Sequence, residues 1–176
     1  MADDFEKLVE DHGTMVYNLC CKLSGLESAE ELTQEVFLKI FQSLGTFRGE
    51  SKISTWIYRI TANTCMEHLR KSKFRKFISF DLFSNPEEIE SFPAKTRTPE
   101  EELQMNELQS IYESSMDMLP PKQKTAYYLF TLENLSHKEI AEIMQCSVAS
   151  VESSVFRARQ SLRKTIAKHY PEYGGR

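Results

Sequence analysis

The chain has 176 residues, of which 40% are hydrophobic and 27% are charged, and its formal net charge is −4 at pH 7. This size and balance fit one medium domain or two small ones, each with a modest core. They exclude a membrane-spanning protein, because no apolar run approaches the roughly 20 residues that a bilayer requires, and the acidic N-terminus does not resemble a secretory signal. We therefore expect a cytoplasmic protein with no membrane insertion of its own.

Charge is distributed unevenly along the chain. The net charge is −6 for residues 1–45, +6 for residues 46–80, −8 for residues 81–118 and +4 for residues 119–176. Two basic blocks therefore alternate with two acidic ones. This pattern favours two separate nucleic-acid contacts joined by a segment that nucleic acid repels.

The cysteines and histidines indicate neither a metal site nor a disulfide. Cys20, Cys21, Cys65 and Cys146 form no CxxC pair, and no histidine stands beside them at ligand spacing. We expect reduced thiols that pack as small hydrophobic groups, with no metal and no cofactor. Oxidation sensing by Cys20 and Cys21 is the less favoured alternative, because adjacent thiols on a helix do not bridge easily.

Two amphipathic helices are predicted at the start of the chain. Apolar residues recur at a 3.6-residue period from Phe5 to Ser24, and Gly25 follows at the position of a C-terminal cap. The second helix is predicted to start near Ser28, with Glu31 completing a capping box. Its apolar residues, Phe41 among them, are predicted to form one broad buried face. Its polar side carries an acidic patch with one leucine at its centre, formed by Glu31, Gln34, Glu35 and Leu38. Both a solvated face and a docking surface explain this patch.

The segment from Phe47 to Phe77 carries the strongest functional signal. After a loop of sequence FRGE, apolar residues at helical spacing predict a third helix that ends around Ser72. One stripe beside the apolar face carries cations and an amide: Arg59, Asn63, Met66 and Arg70. More cations follow, interleaved with two phenylalanines, and charge with flat rings is typical of surfaces that bind single-stranded nucleic acid. A core helix with a solvated basic end is the alternative for this segment alone.

Residues 78–98 are predicted to form a linker. They lose helical periodicity, contain two prolines and are rich in glutamate. Fully extended, the linker reaches at most about 70 Å at roughly 3.3–3.6 Å per residue, which is close to two turns of B-DNA. Two linked modules would thus reach two sites on one face of a duplex.

The C-terminal part is predicted to contain four helices, and the last two form the clearest motif. The first pair run from Thr98 to the break before Pro121 and from there to Leu132. Ser136-His137-Lys138-Glu139 is a capping box that starts a short helix, and after a turn at residues 145–147 a long helix runs from Val148 to about His169. Together they predict a helix-turn-helix, although the turn lacks the usual glycine. A plain helical hairpin is the alternative.

Three segments together resemble a bacterial RNA polymerase sigma factor of the extracytoplasmic-function (ECF) group. SAEELTQEVF at residues 28–37 resembles the core-binding segment of that family. FRGE at 47–50, TWIYRI at 55–60 and then Asn63 resemble its segment for melting and recognition of promoter DNA. LPPKQ at 119–123, LS at 135–136, EIA at 139–141 and FRAR at 156–159 resemble its C-terminal domain.

This resemblance implies an all-α fold with two small helical domains. A region 2 domain is expected at residues 1–77 and a helix-turn-helix region 4 domain at residues 99–176, joined by an acidic, flexible linker at residues 78–98. The implied function is that of a non-catalytic subunit of the RNA polymerase holoenzyme, which directs promoter-specific initiation. The implied partners are core RNA polymerase, promoter DNA and an inhibitory anti-sigma factor.

The resemblance also implies roles for individual residues. The residues expected to dock on core polymerase are Glu31, Gln34, Glu35 and Leu38. Those expected to hold the melted −10 element are Phe47, Arg48, Arg59, Ile60, Asn63 and Arg70. Those expected at the −35 element are Glu152, Ser153, Phe156 and Arg157.

The recognition helix departs from the family pattern at two positions. The family usually has Lys or Arg where this chain has Glu152, and often Arg where it has Ser154. An acid accepts a hydrogen bond from cytosine N4 but repels phosphate. We therefore expect an unusual −35 sequence preference.

Two other functions compete with this interpretation. A helix-turn-helix transcriptional regulator that does not recruit polymerase explains the C-terminal half, but leaves the acidic patch and residues 47–70 without a role. A nucleic-acid enzyme is disfavoured, because the sequence has no phosphate-binding loop, no HExxH motif and no supported catalytic triad.

Overall fold

The computed structural model of the protein describes residues 2–79 and 99–170, and the side chains of residues 5–73 and 107–170. Within these ranges the backbone forms seven α-helices and no strand. The helices are α1 (Ala2–Ser24), α2 (Leu26–Ser43), α3 (Ile53–Ser79), α4 (Pro99–Met118), α5 (Pro121–Thr131), α6 (His137–Ile143) and α7 (Val148–His169). The predicted all-α fold is confirmed.

Helices α1, α2 and α3 pack on one another and form the N-terminal unit. Each contributes one aliphatic face, because its apolar residues recur every three or four positions. The buried side chains include Val16, Leu19, Leu23, Leu32, Val36, Ile40 and Ile57. Burying these faces leaves the polar sides of α2 and α3 on the surface of the unit.

Two helix boundaries in the N-terminal unit differ from the sequence prediction: the start of α2 and the end of α3. The predicted capping box at Ser28 is wrong: α2 begins at Leu26, and its N-cap is Gly25 with a φ of 85°. Glycine adopts this left-handed conformation without steric cost, so one residue suffices to turn the chain between α1 and α2. Helix α3 continues past the predicted end at Ser72 to Ser79. The rest of the predicted linker, residues 80–98, lies outside the described residues.

Helices α4 to α7 form the C-terminal unit, with α7 packed against each of the other three. The buried side chains at its centre include Met116, Leu129, Ile140, Ile143, Val151, Val155 and Leu162. Burial of the inner side of α7 fixes which of its residues face outward.

The predicted helix-turn-helix is present as α6, a short turn and α7. The capping box at the start of α6 is confirmed: the Glu139 amide donates to Ser136 Oγ at 3.3 Å, and the Ser136 amide donates to Glu139 Oε2 at 2.9 Å. The turn manages without glycine because Gln145 adopts the left-handed conformation, with a φ of 49°. Ser147 then caps α7 by accepting from the Ser150 amide at 3.2 Å.

The two units contact each other. Helix α3 packs against α5 and α6, and α1 packs against α5. The Tyr58 hydroxyl of α3 donates a hydrogen bond of 2.5 Å to Glu133, in the loop after α5. In this structure the helix with the predicted −10 residues therefore lies beside the helix-turn-helix.

Candidate nucleic-acid interface

The outer face of α2 brings together the residues predicted to dock on polymerase. Glu31, Gln34 and Glu35 are exposed, and the Leu38 side chain is 55% exposed. Their spacing of three or four residues places them on one side of the helix. The patch is acidic around an apolar centre, and Glu35 forms an ion pair of 2.6 Å with Lys39.

Sequence reasoning missed Phe41 as a member of this surface. The apolar pattern assigned Phe41 to the buried face of α2, but the residue is 55% exposed. Its ring packs edge-on against Phe5 with 5.1 Å between the ring centroids. Leu38 and Phe41 are three residues apart, a spacing that places them side by side on a helix, and together they form an exposed apolar patch.

The loop before α3 holds one of the predicted −10 residues against the core. The ring of Phe47 lies 5.1 Å from the ring of Trp56, with 44° between the two planes. Trp56 itself packs against the buried core of the N-terminal unit. Gly49 turns this loop with a φ of 70°, a conformation that favours glycine. The Phe47 ring is thus supported by the Trp56 ring, whereas Arg48 in the same loop is exposed.

Helix α3 brings the remaining −10 candidates to one side. At about 100° per residue, Arg59, Asn63 and Arg70 fall within a sector of about 40°, and Ile60 lies about 60° beyond Asn63. Asn63 and Arg70 are exposed, whereas Arg59 and Ile60 are half-buried. Met66 lies about 20° from Arg59 on the helix but is buried, so it does not belong to the exposed part of the predicted stripe.

Charge on this side of α3 is mostly positive. Its exposed acid, Glu67, is paired with Lys71 at 2.8 Å, and this hydrogen bond lowers the pKa of the Glu67 carboxyl. Exposed Arg48, Lys52 and Arg70 add positive charge. Such a surface attracts a phosphate backbone.

The outward side of α7 carries the predicted −35 residues. Glu152, Ser153, Phe156 and Arg157 are all exposed, and the Phe156 side chain is 59% exposed. An aromatic ring this exposed on the outer side of a recognition helix is available for contacts with DNA.

Ser154 does not belong to this surface. The residue is only 8% exposed, and its hydroxyl donates to the Ser150 carbonyl at 2.7 Å. The departure from the family pattern at Ser154 therefore removes no outward-facing side chain. Of the two departures from the family pattern, only Glu152 changes the exposed side of α7.

Glu152 has a neighbour that the sequence pattern did not suggest. Its carboxylate lies 3.7 Å from Nδ1 of His137, the first residue of α6. The His137 ring in turn stacks on Phe130, with 4.8 Å between ring centroids and 26° between the planes. Stacking on Phe130 thus holds Nδ1 of His137 beside the Glu152 carboxylate, where α6 and α7 meet.

The cysteines are all free, and two of them meet in the core. The Cys65 thiol lies 3.7 Å from Cys20 Sγ, so the neighbour of Cys20 across the core is Cys65 and not Cys21. The hydrogen bond from Cys65 lowers the pKa of Cys20. Among the described residues, no three His, Cys, Asp or Glu side chains are grouped to hold a metal ion.

Comparison with known proteins identifies the family. Residues 8–75 match Sigma-70 region 2, and residues 110–162 match Sigma-70, region 4. The chain is 35% identical over 167 residues to the ECF RNA polymerase sigma-E factor of Haemophilus influenzae, covering 92% of this chain and 87% of that protein. The chain belongs to the ECF group of sigma-70 factors. This sigma factor is a transcription initiation factor and not an enzyme, as the sequence resemblance implied.

Two solved structures share the fold of the sigma factor. One is the sigma factor RpoE of Bartonella quintana in complex with the anti-sigma factor NepR, with a TM-score of 0.68 and 21% identity over 93% of this chain and 96% of that one. The other is CnrH in complex with the cytosolic domain of CnrY, with a TM-score of 0.62 and 19% identity over 96% of this chain and 90% of that one. No helix within the described ranges has both the length and the apolar character that a membrane span requires.

Proposed function

We propose that this sigma factor docks on core RNA polymerase through α2, captures the melted −10 element with the loop before α3 and with α3 itself, and reads the −35 element with α7. The observation that carries the proposal is the placement of three exposed surfaces. Each surface lies within a matched sigma region, and no side chain belongs to more than one of the three surfaces.

The α2 surface suits a protein partner. Leu38 and Phe41 expose apolar area, and Glu31, Gln34 and Glu35 surround it with polar groups. An apolar centre with a polar rim is the usual anatomy of a protein–protein interface. Its acidic character favours a partner surface with basic side chains, as core polymerase would have to provide.

The α3 surface suits unpaired DNA. Opening about ten base-pair steps at roughly 1.4 kcal/mol each costs around 14 kcal/mol. Stacking one or two extruded bases returns only about 1–3 kcal/mol apiece. The sigma factor therefore captures opened DNA, with Phe47 and Ile60 beside the base and Arg59 and Arg70 on phosphates, while polymerase supplies the rest of the opening energy.

The α7 surface suits the major groove. Arg157 and Ser153 donate hydrogen bonds, and Phe156 offers apolar contact to a thymine methyl group. The Glu152 carboxylate accepts from cytosine N4 but disfavours nearby phosphates. We propose that Glu152 is the residue that makes the −35 sequence preference of this protein unusual.

The proposal extends to a protein inhibitor and to the place of action. Both solved structures with the same fold are complexes with another protein: one with an anti-sigma factor, NepR, and the other with the cytosolic domain of CnrY. We propose that an anti-sigma factor restrains this protein as well. Its place of action is the bacterial cytoplasm, where the polymerase and the chromosome meet.

Promoter opening tests the proposal directly. Holoenzyme assembled from core polymerase and this protein is mixed with a cognate promoter, and unpaired thymines are detected with permanganate. We expect reactive thymines around the −10 element with the wild-type protein. An Asn63→Ala variant should form the holoenzyme but give weaker reactivity. Reactivity equal to that of the wild type would remove Asn63 from the assigned site.

A further inference from the structure

His137 has a fixed position at the start of the helix-turn-helix. It is the first residue of α6, and the capping box between Ser136 and Glu139 fixes that turn. Its ring stacks on Phe130 of α5, with 4.8 Å between the ring centroids. The Phe130 ring also contacts α7, because the Arg159 guanidinium lies 5.0 Å from the ring centroid. Helices α5, α6 and α7 therefore act together to fix the imidazole.

One nitrogen of this ring is unfavourable for stability. Nε2 of His137 is buried, and it has no hydrogen-bond partner within the described part of the chain. A buried polar atom without a partner destabilises a fold. A phenylalanine would keep the aromatic stack on Phe130 and would not bury such an atom. Packing alone therefore does not explain a histidine at this position.

The other ring nitrogen faces Glu152. Nδ1 of His137 lies 3.7 Å from Oε1 of Glu152, about 0.5 Å beyond the usual range of an N–H···O hydrogen bond. A neutral imidazole has one N–H group and one bare nitrogen. A proton on Nδ1 is attracted by the carboxylate, whereas a proton on Nε2 would be a buried donor without an acceptor. His137 therefore offers an N–H donor to Glu152 and keeps its bare nitrogen inside.

Glu152 lies where such a restraint affects base recognition. It is the fifth residue of α7, and the first residues of a recognition helix contact base edges. Its side chain is 58% exposed, so without a partner it would be free to rotate. Fixing a mobile side chain on binding weakens binding roughly two- to tenfold. A carboxylate already restrained through Oε1 avoids this loss and keeps Oε2 available to accept a hydrogen bond.

We propose that His137 is a positioning residue for −35 recognition: it restrains the Glu152 carboxylate so that the free oxygen accepts a hydrogen bond from the amino group of a cytosine in the major groove. This inference rests on the proposed function of α7. The restraint itself is a property of the free protein, and it is testable without DNA.

Nuclear magnetic resonance of the free, full-length protein tests the restraint. In mildly alkaline solution, where a histidine ring is neutral, the nitrogen chemical shifts show which ring nitrogen carries the proton. The His137 signals are assigned by their loss in His137→Phe. We expect the proton on Nδ1 in the wild type, and a smaller share of that form in Glu152→Ala. A wild-type proton on Nε2, or no change in Glu152→Ala, would overturn the inference and leave the proposed function untouched.

Promoter selection tests the consequence for DNA. Holoenzyme assembled from core polymerase and the full-length protein selects from a promoter library randomised over the −35 element, and sequencing gives the preference at each base pair. Glu152→Ala should lose the preference for a G·C pair at one position. His137→Phe should lower the preference at that same position at least about threefold and leave the other positions unchanged. His137→Gln, which keeps a donor, should retain more of the preference.

Two further variants separate positioning from a structural role. His137→Phe combined with Glu152→Ala should select the same sequences as Glu152→Ala alone, because His137 acts through Glu152. His169→Phe removes an exposed histidine that lies about 25 Å from Glu152 along α7, and it should select as the wild type does. The melting temperature of His137→Phe should be unchanged or higher, because the buried Nε2 is gone.

Several selection results would overturn the positioning role. They are an unchanged preference in His137→Phe, a loss spread evenly over all positions, a further loss in the double variant, an equal loss in His169→Phe, and a preference for an A·T pair at the position that depends on Glu152. If the wild type itself selected no −35 sequence, the proposed function of α7 and the cytosine contact would both fail. The position of the proton on His137 would still decide whether the restraint exists.

Discussion

Truncation of Leu38 to alanine tests the polymerase-docking surface of α2. The side chain is 55% exposed, so about half of its apolar surface is still in contact with water. Fully burying a leucine contributes about 1.5–3 kcal/mol, and docking would therefore gain about 0.8–1.6 kcal/mol from this side chain. That energy corresponds to roughly a tenfold loss of affinity in Leu38→Ala. The free energy of unfolding should change by less than about 0.5 kcal/mol, as is usual for exposed positions.

The chain offers a matched control for this substitution. Leu26, at the first turn of the same helix, is 54% exposed, but lies about 18 Å away along the axis at 1.5 Å per residue. Affinity for core polymerase is measured by biolayer interferometry, and stability by urea unfolding followed by circular dichroism. Leu38→Ala should bind about ten times more weakly, and Leu26→Ala should bind as the wild type does. Equal affinities of the two variants would refute the assignment of Leu38.

Three further predictions concern DNA contacts and pH. Asn63→Ala should keep its affinity for core polymerase. In a binding assay with single-stranded oligonucleotides, its preference for cognate over altered −10 sequences should fall at least fivefold. An unchanged preference would contradict the role of Asn63. Glu152→Arg should tighten binding to duplex DNA and steepen the slope of log affinity against log salt by about 1; an unchanged or weaker complex would show that Glu152 does not repel phosphate. Burial raises the pKa of Tyr128 to about 12, above the value of about 10 in unfolded chains. Its contribution to stability should be intact below pH 10 and decrease by about 2–3 kcal/mol as the pH rises towards 12, and urea unfolding of the wild type and Tyr128→Phe should diverge over that range.

Local chemistry made several features predictable from the sequence. The capping box at Ser136 was predictable because all its partners lie within four consecutive residues. The resemblance to sigma factors named Ser153, Phe156 and Arg157 on the last helix, and all three are exposed on α7. Helical periodicity predicted each helix of the described chain to within a few residues, except at the end of α3.

Features that depend on distant partners were not predictable in this way. Tyr58 meets Glu133 across 75 residues, and Cys65 meets Cys20 across 45. No local pattern records such pairs, because they depend on how the two units and their helices pack. Phe41 was misassigned for a related reason: its apolar character suggested burial, whereas the width of the core leaves it at the edge.

The start of α2 and the recognition helix show how the structure corrects predictions based on motifs alone. Ser28 has the residue type of an N-cap, but Gly25, three residues earlier, is the N-cap of α2. Ser154 differs from the family pattern, but it faces the core and bonds to the Ser150 carbonyl. In both cases the residue type alone suggested a role that its position does not allow.

Transcription in vitro tests the central claim most directly. Purified protein is added to bacterial core RNA polymerase with fragments of the source genome, and the start sites of the transcripts are mapped. We predict initiation at a limited set of sites that share two upstream elements, the nearer one lost with Asn63→Ala and the farther one altered with Glu152→Arg. An absence of promoter-directed initiation above that of core enzyme alone would contradict the account.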